Sequence, residues 1–151
     1  MDDILSKKES GWVMALTLSG GLPFIAAALM AVLQRHVLGL DGTAIAVTYG
    51  AVIASFLCGL QWGLVLGGRA QALWLLILSN LLCLLAWCGP LLALTGHARA
   101  ALGIEVAVFL SILAVDTALS RRGWLSGGFL RLRVVITSLV VPCLIVVALL
   151  A

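Results

Sequence analysis

The sequence predicts an all-α integral membrane protein: a single bundle of five transmembrane helices, forming one polytopic membrane domain over residues 1–151. Three observations point there. The chain is 64% hydrophobic and only 10% charged, against about 45–50% apolar and about 25% charged in a soluble domain. That little charge cannot cover a water-facing surface, so lipid must be the main solvent. Five apolar segments each reach the ~17–25 residues that a bilayer core demands. The connections between them are short, except for Ser120 to Arg133. The net charge of +3 is small and its cations are scattered between apolar segments, which excludes the basic face of a nucleic-acid binder.

The first span is expected from about Trp12 to Leu33. Lys7 and Lys8 precede it and Ala26-Ala27-Ala28 lies near its end, a pattern that invites comparison with a signal peptide. Its apolar run outlasts the ~7–15 residues of a signal core, so the helix is expected to be retained. Gly20-Gly21-Leu22-Pro23 sits near its middle, where Pro23 removes a donor and predicts a kink. The second span covers about Thr43 to Leu66. The third covers about Ala72 to Leu94, with Gly89-Pro90 expected to break or kink it near its end. The fourth is about Ala100 to Leu119 and the fifth about Val134 to Ala151. Alternate sides of these spans carry unequal Lys and Arg. Lys7, Lys8, Arg69, Arg121, Arg122, Arg131 and Arg133 fall on one side, Arg35 and Arg99 on the other. The positive-inside rule then places the N-terminus in the cytoplasm and the C-terminus outside. The expected location is a bacterial inner (cell) membrane, or a mitochondrial inner membrane with the matrix as the inside.

Chemistry-capable residues are few. No Ser-His-Asp spacing, Gly-rich phosphate loop or His-Glu-x-x-His occurs, so no catalytic residue, metal or cofactor is expected. His36 and His97 lie in two loops of the same side, as interfacial residues or as a shared metal or proton site. Cys58, Cys83, Cys88 and Cys143 all lie inside apolar runs without a Cys-x-x-Cys pair, and read as small packing residues. Glu105 and Asp116 are eleven residues apart on the fourth span, which is about three turns and about 16 Å on one face. Ionisable groups inside a membrane segment are costly and mark either a structural pair or a functional path. Asp116 has Arg121 and Arg122 one turn away, and Arg131 and Arg133 across the loop. It is therefore a candidate structural ion pair, either fixing the helix end or locking the fourth span onto the fifth. Glu105 has no neighbour in sequence; with Asn80 and Gln61 it is a candidate ligand or proton site. Ser19, Ser55, Ser111 and Ser138 read as interhelical hydrogen-bonding glue. Arg121, Arg122, Arg131 and Arg133, with Trp124 and Phe129 beside them, are expected to meet anionic lipid at headgroup level.

The second span also carries small residues at every fourth position: Ala51, Ser55, Gly59, Gly63 and Gly67. Lipid tails pack on leucine as well as on glycine, so this strip predicts a protein neighbour along Ser55, Gly59, Gly63 and Gly67. Gln61 lies on another face, near Gly50, Ala54 and Leu57. Contact on two sides would put this helix at the centre of the bundle, its strip facing an internal partner helix or a second copy of the chain.

Three motifs stand in order: GLPF at Gly21 to Phe24, YGAVIASFLCGLQWGLVL at Tyr49 to Leu66, and a final Asp116…RRGWL…FLRLR. Together they resemble the transmembrane protein 69-like family (domain of unknown function 3429), from about residue 20 onward. Members often carry a basic residue before the Trp of the second motif; here Gln61 stands there, so no role for a charge transfers. The resemblance implies a small multi-pass protein of bacterial or mitochondrial membranes and carries no activity. The leading expectation is a non-enzymatic membrane subunit or accessory and assembly factor, with a membrane-protein partner or a homodimer. The alternative is a small transporter, channel or ligand carrier using Glu105, Asn80 and Gln61. A membrane enzyme acting on lipid or quinone through Asp116 is the third.

Overall fold

The first predicted span is two helices. A computed structural model describes residues 7–151, with side chains from residue 11 onward; Lys7 and Lys8, counted for the orientation, lie outside the described side chains. Helix α1 runs Lys7–Ser19 and α2 runs Leu22–Val32. Gly20 and Gly21 separate them, with Pro23 in the first turn of α2, where its missing N–H is not needed. The predicted kink is therefore a full break. It leaves carbonyls without helical partners, and the Tyr49 hydroxyl donates to the Gly20 carbonyl at 3.0 Å. Tyr49→Phe is expected to lower the unfolding free energy in detergent by about 0.5–1.5 kcal/mol, the net value of one such bond. Thermal unfolding of the two proteins checks it, and an unchanged midpoint would contradict it.

The remaining helices are α3 (Gly42–Leu66), α4 (Leu73–Leu94), α5 (Ala98–Arg121) and α6 (Gly127–Leu150). Among the described residues five segments are long and apolar enough to cross a membrane, Gly11–Val32 across the break being the first. This fits a multi-pass membrane protein. Among the described residues no strand occurs, only an isolated bridge between Val37 and Leu40 in the loop before α3. Asp41 starts α3 by accepting from the Ala44 N–H at 2.7 Å, the side-chain bond an N-cap makes. Pro90 lies inside α4 and the helix continues four residues past it, so of the break or kink expected at Gly89-Pro90 the break does not occur.

The largest departure is at α6, which begins seven residues before the expected Val134. The arginines of that stretch argued for a loop. Ser126 instead caps the helix, its hydroxyl accepting from the Phe129 N–H at 3.3 Å. The connection shrinks to Arg122–Ser126, turned at Gly123, whose φ of +72° suits glycine.

Helices α2, α3, α4, α5 and α6 close into a ring in that order, with α6 packing back on α2. A further contact crosses the ring between α3 and α5. Helix α1 packs chiefly against α6. Small residues bring the elements together: a methyl on Gly42 would collide with the Ala27 carbonyl of α2. Phe24 sits edge-on to both Tyr49 and Phe109, centroids 5.1 and 5.8 Å away, and so ties α2 to α3 and α5. Outward-facing positions such as Trp12, Leu29, Phe56, Leu81, Trp87 and Val135 are exposed and apolar, as a lipid-facing surface requires. Polar side chains are among the buried ones: Gln61, Ser79, Glu105, Asp116, Arg133 and Thr137.

Candidate functional site

Two polar centres lie inside the ring, toward opposite membrane faces. They follow from the helix register. Glu105 stands seven residues after Ala98, about 10 Å along α5, and Asp116 five residues before Arg121, about 8 Å from the other end, at ~1.5 Å per residue.

The first centre is Glu105 alone. Its residue is 0% exposed, and neither carboxyl oxygen has a hydrogen-bond partner. Two glycines make room for it. A methyl built on Gly89 of α4 would come within 2.7 Å of Glu105 Oε1, and one built on Gly50 of α3 within 3.0 Å of Oε2. The carboxyl is thus pressed between two bare stretches of backbone at the crossing of α3, α4 and α5. From the sequence, Gly50 falls on the Gln61 face and Gly89 at an expected helix break, and neither is linked to Glu105. A signal was available: α4 and α5 form a tight antiparallel hairpin, so a glycine near the end of one and a carboxyl near the start of the next share a depth.

The second centre joins α3, α5 and α6. Arg133 Nε donates to Asp116 Oδ2 at 2.8 Å, and this is the one ion pair among the described residues. Both residues are buried. Arg121 and Arg131 are exposed and outside the pair. Arg133 keeps an unpartnered Nη2, and Gln61, 1% exposed, has no partner for either amide atom. A half-open cavity of about 370 Å³ collects these groups. Gln61, Asp116 and Arg133 line it with Arg69, Ser126 and an apolar wall that includes Leu57, Leu60 and Phe129. Trp124 also lines it, and its backbone N–H donates to the Leu119 carbonyl at 3.0 Å. The Arg122 guanidinium lies between the rings of Trp74 and Trp124, at 5.5 and 5.3 Å from their centroids, so this cation is engaged by protein.

The expected trio of Glu105, Asn80 and Gln61 is therefore not one site. Gln61 belongs with Asp116 and Arg133, Glu105 lies in the other centre, and Asn80 is exposed on the outer face of α4. The serines follow the expectation of interhelical bonding only at Ser55. Ser19, Ser55 and Ser111 donate to carbonyls of their own helices at 2.7–2.8 Å. Ser55 in addition accepts from Cys83 Sγ of α4 at 3.3 Å. The small-residue strip begins there and then leaves the bundle. It drifts about 40° per step on a helix of ~3.6 residues per turn, which carries Gly59 and Gly63 to the exposed side, where a methyl would meet nothing within 4 Å. The small face turned inward is Ala46, Gly50 and Ala54. Among the described residues no helix covers the strip at Gly59 and Gly63, contrary to the internal neighbour expected.

All four cysteines are free thiols. Among the described residues no three metal-ligating side chains group together, and His97 Nδ1 is 3.0 Å from Thr95 Oγ1.

No curated protein and no solved structure matches the chain. A family model described as protein of unknown function (DUF3429) matches residues 10–149. That match takes in every span and both polar centres, and the chain belongs to this family.

Proposed function

We propose that the chain is a non-enzymatic subunit or accessory and assembly factor of an inner membrane, of the transmembrane protein 69-like type. Its N-terminus lies in the cytoplasm or matrix and its C-terminus on the other side. The observation that carries this reading is the open strip on α3. Gly59 and Gly63 present bare backbone to the outside of the ring. Lipid gains nothing from bare backbone, whereas a second helix approaches closely over it. The occupant is a helix of a partner membrane protein or of a second copy of the chain. The separation of the two carboxyl-bearing centres, about 16 Å at ~1.5 Å per residue along α5, supports a non-catalytic role. Gly63→Leu is expected to leave the chain folded, within about 0.5 kcal/mol of wild type, as open surface substitutions do, while abolishing crosslinking to the partner. Native purification in mild detergent with crosslinking tests it. A wild-type chain that is strictly monomeric and yields no reproducible partner would refute the reading.

The second reading is a ligand carrier. It is favoured by the buried, unpartnered Gln61 amide in the cavity beside Asp116 and Arg133, and it no longer includes Asn80.

A further inference from the structure

The cavity at Gln61 does not end at its polar floor. A second cavity of about 270 Å³ adjoins it and shares Leu57, Leu60, Phe129 and Arg133 with it. This one is mostly apolar, with Thr17 and the unpartnered Thr137 hydroxyl as polar exceptions beside Arg133, and runs between α1, α2, α3, α5 and α6 past Phe24, Phe56 and Val140. Arg133 and Phe129 stand at the junction. Polar and apolar spaces that meet in this way have the form of an amphiphile.

The charges specify its head. Asp116 cancels one arginine, and Arg69 at the rim of the cavity leaves one positive charge in excess. Arg133 Nη2 is a buried donor without an acceptor, and the Gln61 amide nitrogen, beside the Asp116 carboxylate, makes no well-formed hydrogen bond. The Gln61 amide oxygen is a buried acceptor without a donor. Buried polar atoms of this kind are rare in folded proteins unless something unseen satisfies them. A phosphate oxygen fits the donors and the net charge, and a headgroup hydroxyl fits the acceptor. The volume lies in the ~300–1,000 Å³ range of small-molecule sites.

We propose that these two adjoining cavities together hold one anionic phospholipid with a hydroxyl-bearing headgroup. Its phosphate lies between Arg69 and Arg133, with the Gln61 amide against the headgroup, and one acyl chain fills the apolar cavity past Phe129. This is independent of what docks on the α3 strip.

The test is native mass spectrometry of the full chain released from nanodiscs of equal phosphatidylglycerol and phosphatidylcholine. One phosphatidylglycerol should be retained per chain, in about tenfold preference to phosphatidylcholine. Gln61→Leu removes a buried amide that makes no well-formed hydrogen bond, and Arg69→Gln changes an exposed side chain. Each is expected to reduce retention about tenfold, as the loss of one charge-assisted hydrogen bond does. Asn80→Leu, on the outer face, should leave it unchanged. Glycerol 3-phosphate, the head without a tail, should neither be retained nor raise the unfolding temperature. Equal retention of the two lipids would overturn the proposal. So would a folded Gln61→Leu or Arg69→Gln chain that retains lipid like wild type. Retention of glycerol 3-phosphate as strong as that of the lipid would overturn the role of the apolar cavity and, with it, the proposal.

Discussion

Arg133→Ala is expected to lower the stability of the bundle by about 3–5 kcal/mol, the cost of leaving a buried partner charge uncompensated. The residue that suffers is Asp116. It is buried on α5, where the Arg133 guanidinium supplies its counter-charge and a hydrogen bond of 2.8 Å, with the Gln61 amide beside it. Without the guanidinium, α5 must either hold a bare charge away from water or pull away from α6. Asp116→Ala strands Arg133 in the same way. The double variant Asp116→Leu with Arg133→Leu should behave quite differently. Removing both charges and filling the space with apolar atoms is often neutral or stabilising by about 1–4 kcal/mol. Thermal unfolding in one detergent of wild type, Asp116→Leu, Arg133→Leu and the double variant gives the coupling directly. Additive losses in the double variant would mean that the two residues do not act as a pair. The same double variant removes the floor of the lipid cavity, so stability and lipid retention should part company in it.

Glu105→Met is expected to stabilise the protein by about 1–3 kcal/mol, the mutational cost of a buried polar group without a partner. Its two oxygens receive no hydrogen bond and the residue is sealed from solvent. A side chain of similar length without oxygens relieves that cost while still filling the space between the glycines. The neighbouring change runs the other way. Gly89→Ala puts a methyl 2.7 Å from Oε1, and Gly50, whose own methyl would lie 3.0 Å from Oε2, closes the opposite side. The carboxyl has nowhere to go, so overpacking of about 1–3 kcal/mol follows. Combined with Glu105→Ala, Gly89→Ala should become nearly silent, a coupling of about 0.5–3 kcal/mol for residues in direct contact. A destabilised Glu105→Met protein would show that the carboxyl has a partner, and that the site is satisfied rather than strained. A stabilised protein that no longer supports its partner or ligand would mark Glu105 as a group kept for function at a cost in stability.

The spans were legible because length and hydropathy are set by the bilayer and not by neighbours. Four of the five were placed within two residues at each described end, once the break in the first is allowed for. The start of α6 was not, because Arg131 and Arg133 read as loop residues. A charge inside a membrane helix is legible only together with its counter-charge, and Asp116 lies on another helix. Matched depth gives the missing link. Asp116 is five residues from the end of α5 and Arg133 six from the start of α6, so a tight hairpin sets them side by side. The same arithmetic pairs Gly89 with Glu105 across the α4–α5 hairpin. The facing of α3 was harder to read, because that helix carries small residues on two sides. Helical phase shows that two such faces exist. Only the positions of α4 and α5 decide that Gly50 and Ala54 turn inward while Gly59 and Gly63 turn out.

The break at Gly20–Gly21 has a mechanical consequence. A continuous span answers a thicker or thinner bilayer by tilting as a rigid rod, at a modest cost per ångström of mismatch. Here α2 is wedged between α3 and α6, while α1 rests chiefly on α6. The two pieces meet at glycines, with the Tyr49 hydroxyl holding the joint from α3. The first span can therefore change the inclination of one half without disturbing the other. It is a compliant edge on an otherwise closed ring, and adjustment to membranes of different thickness falls to it first.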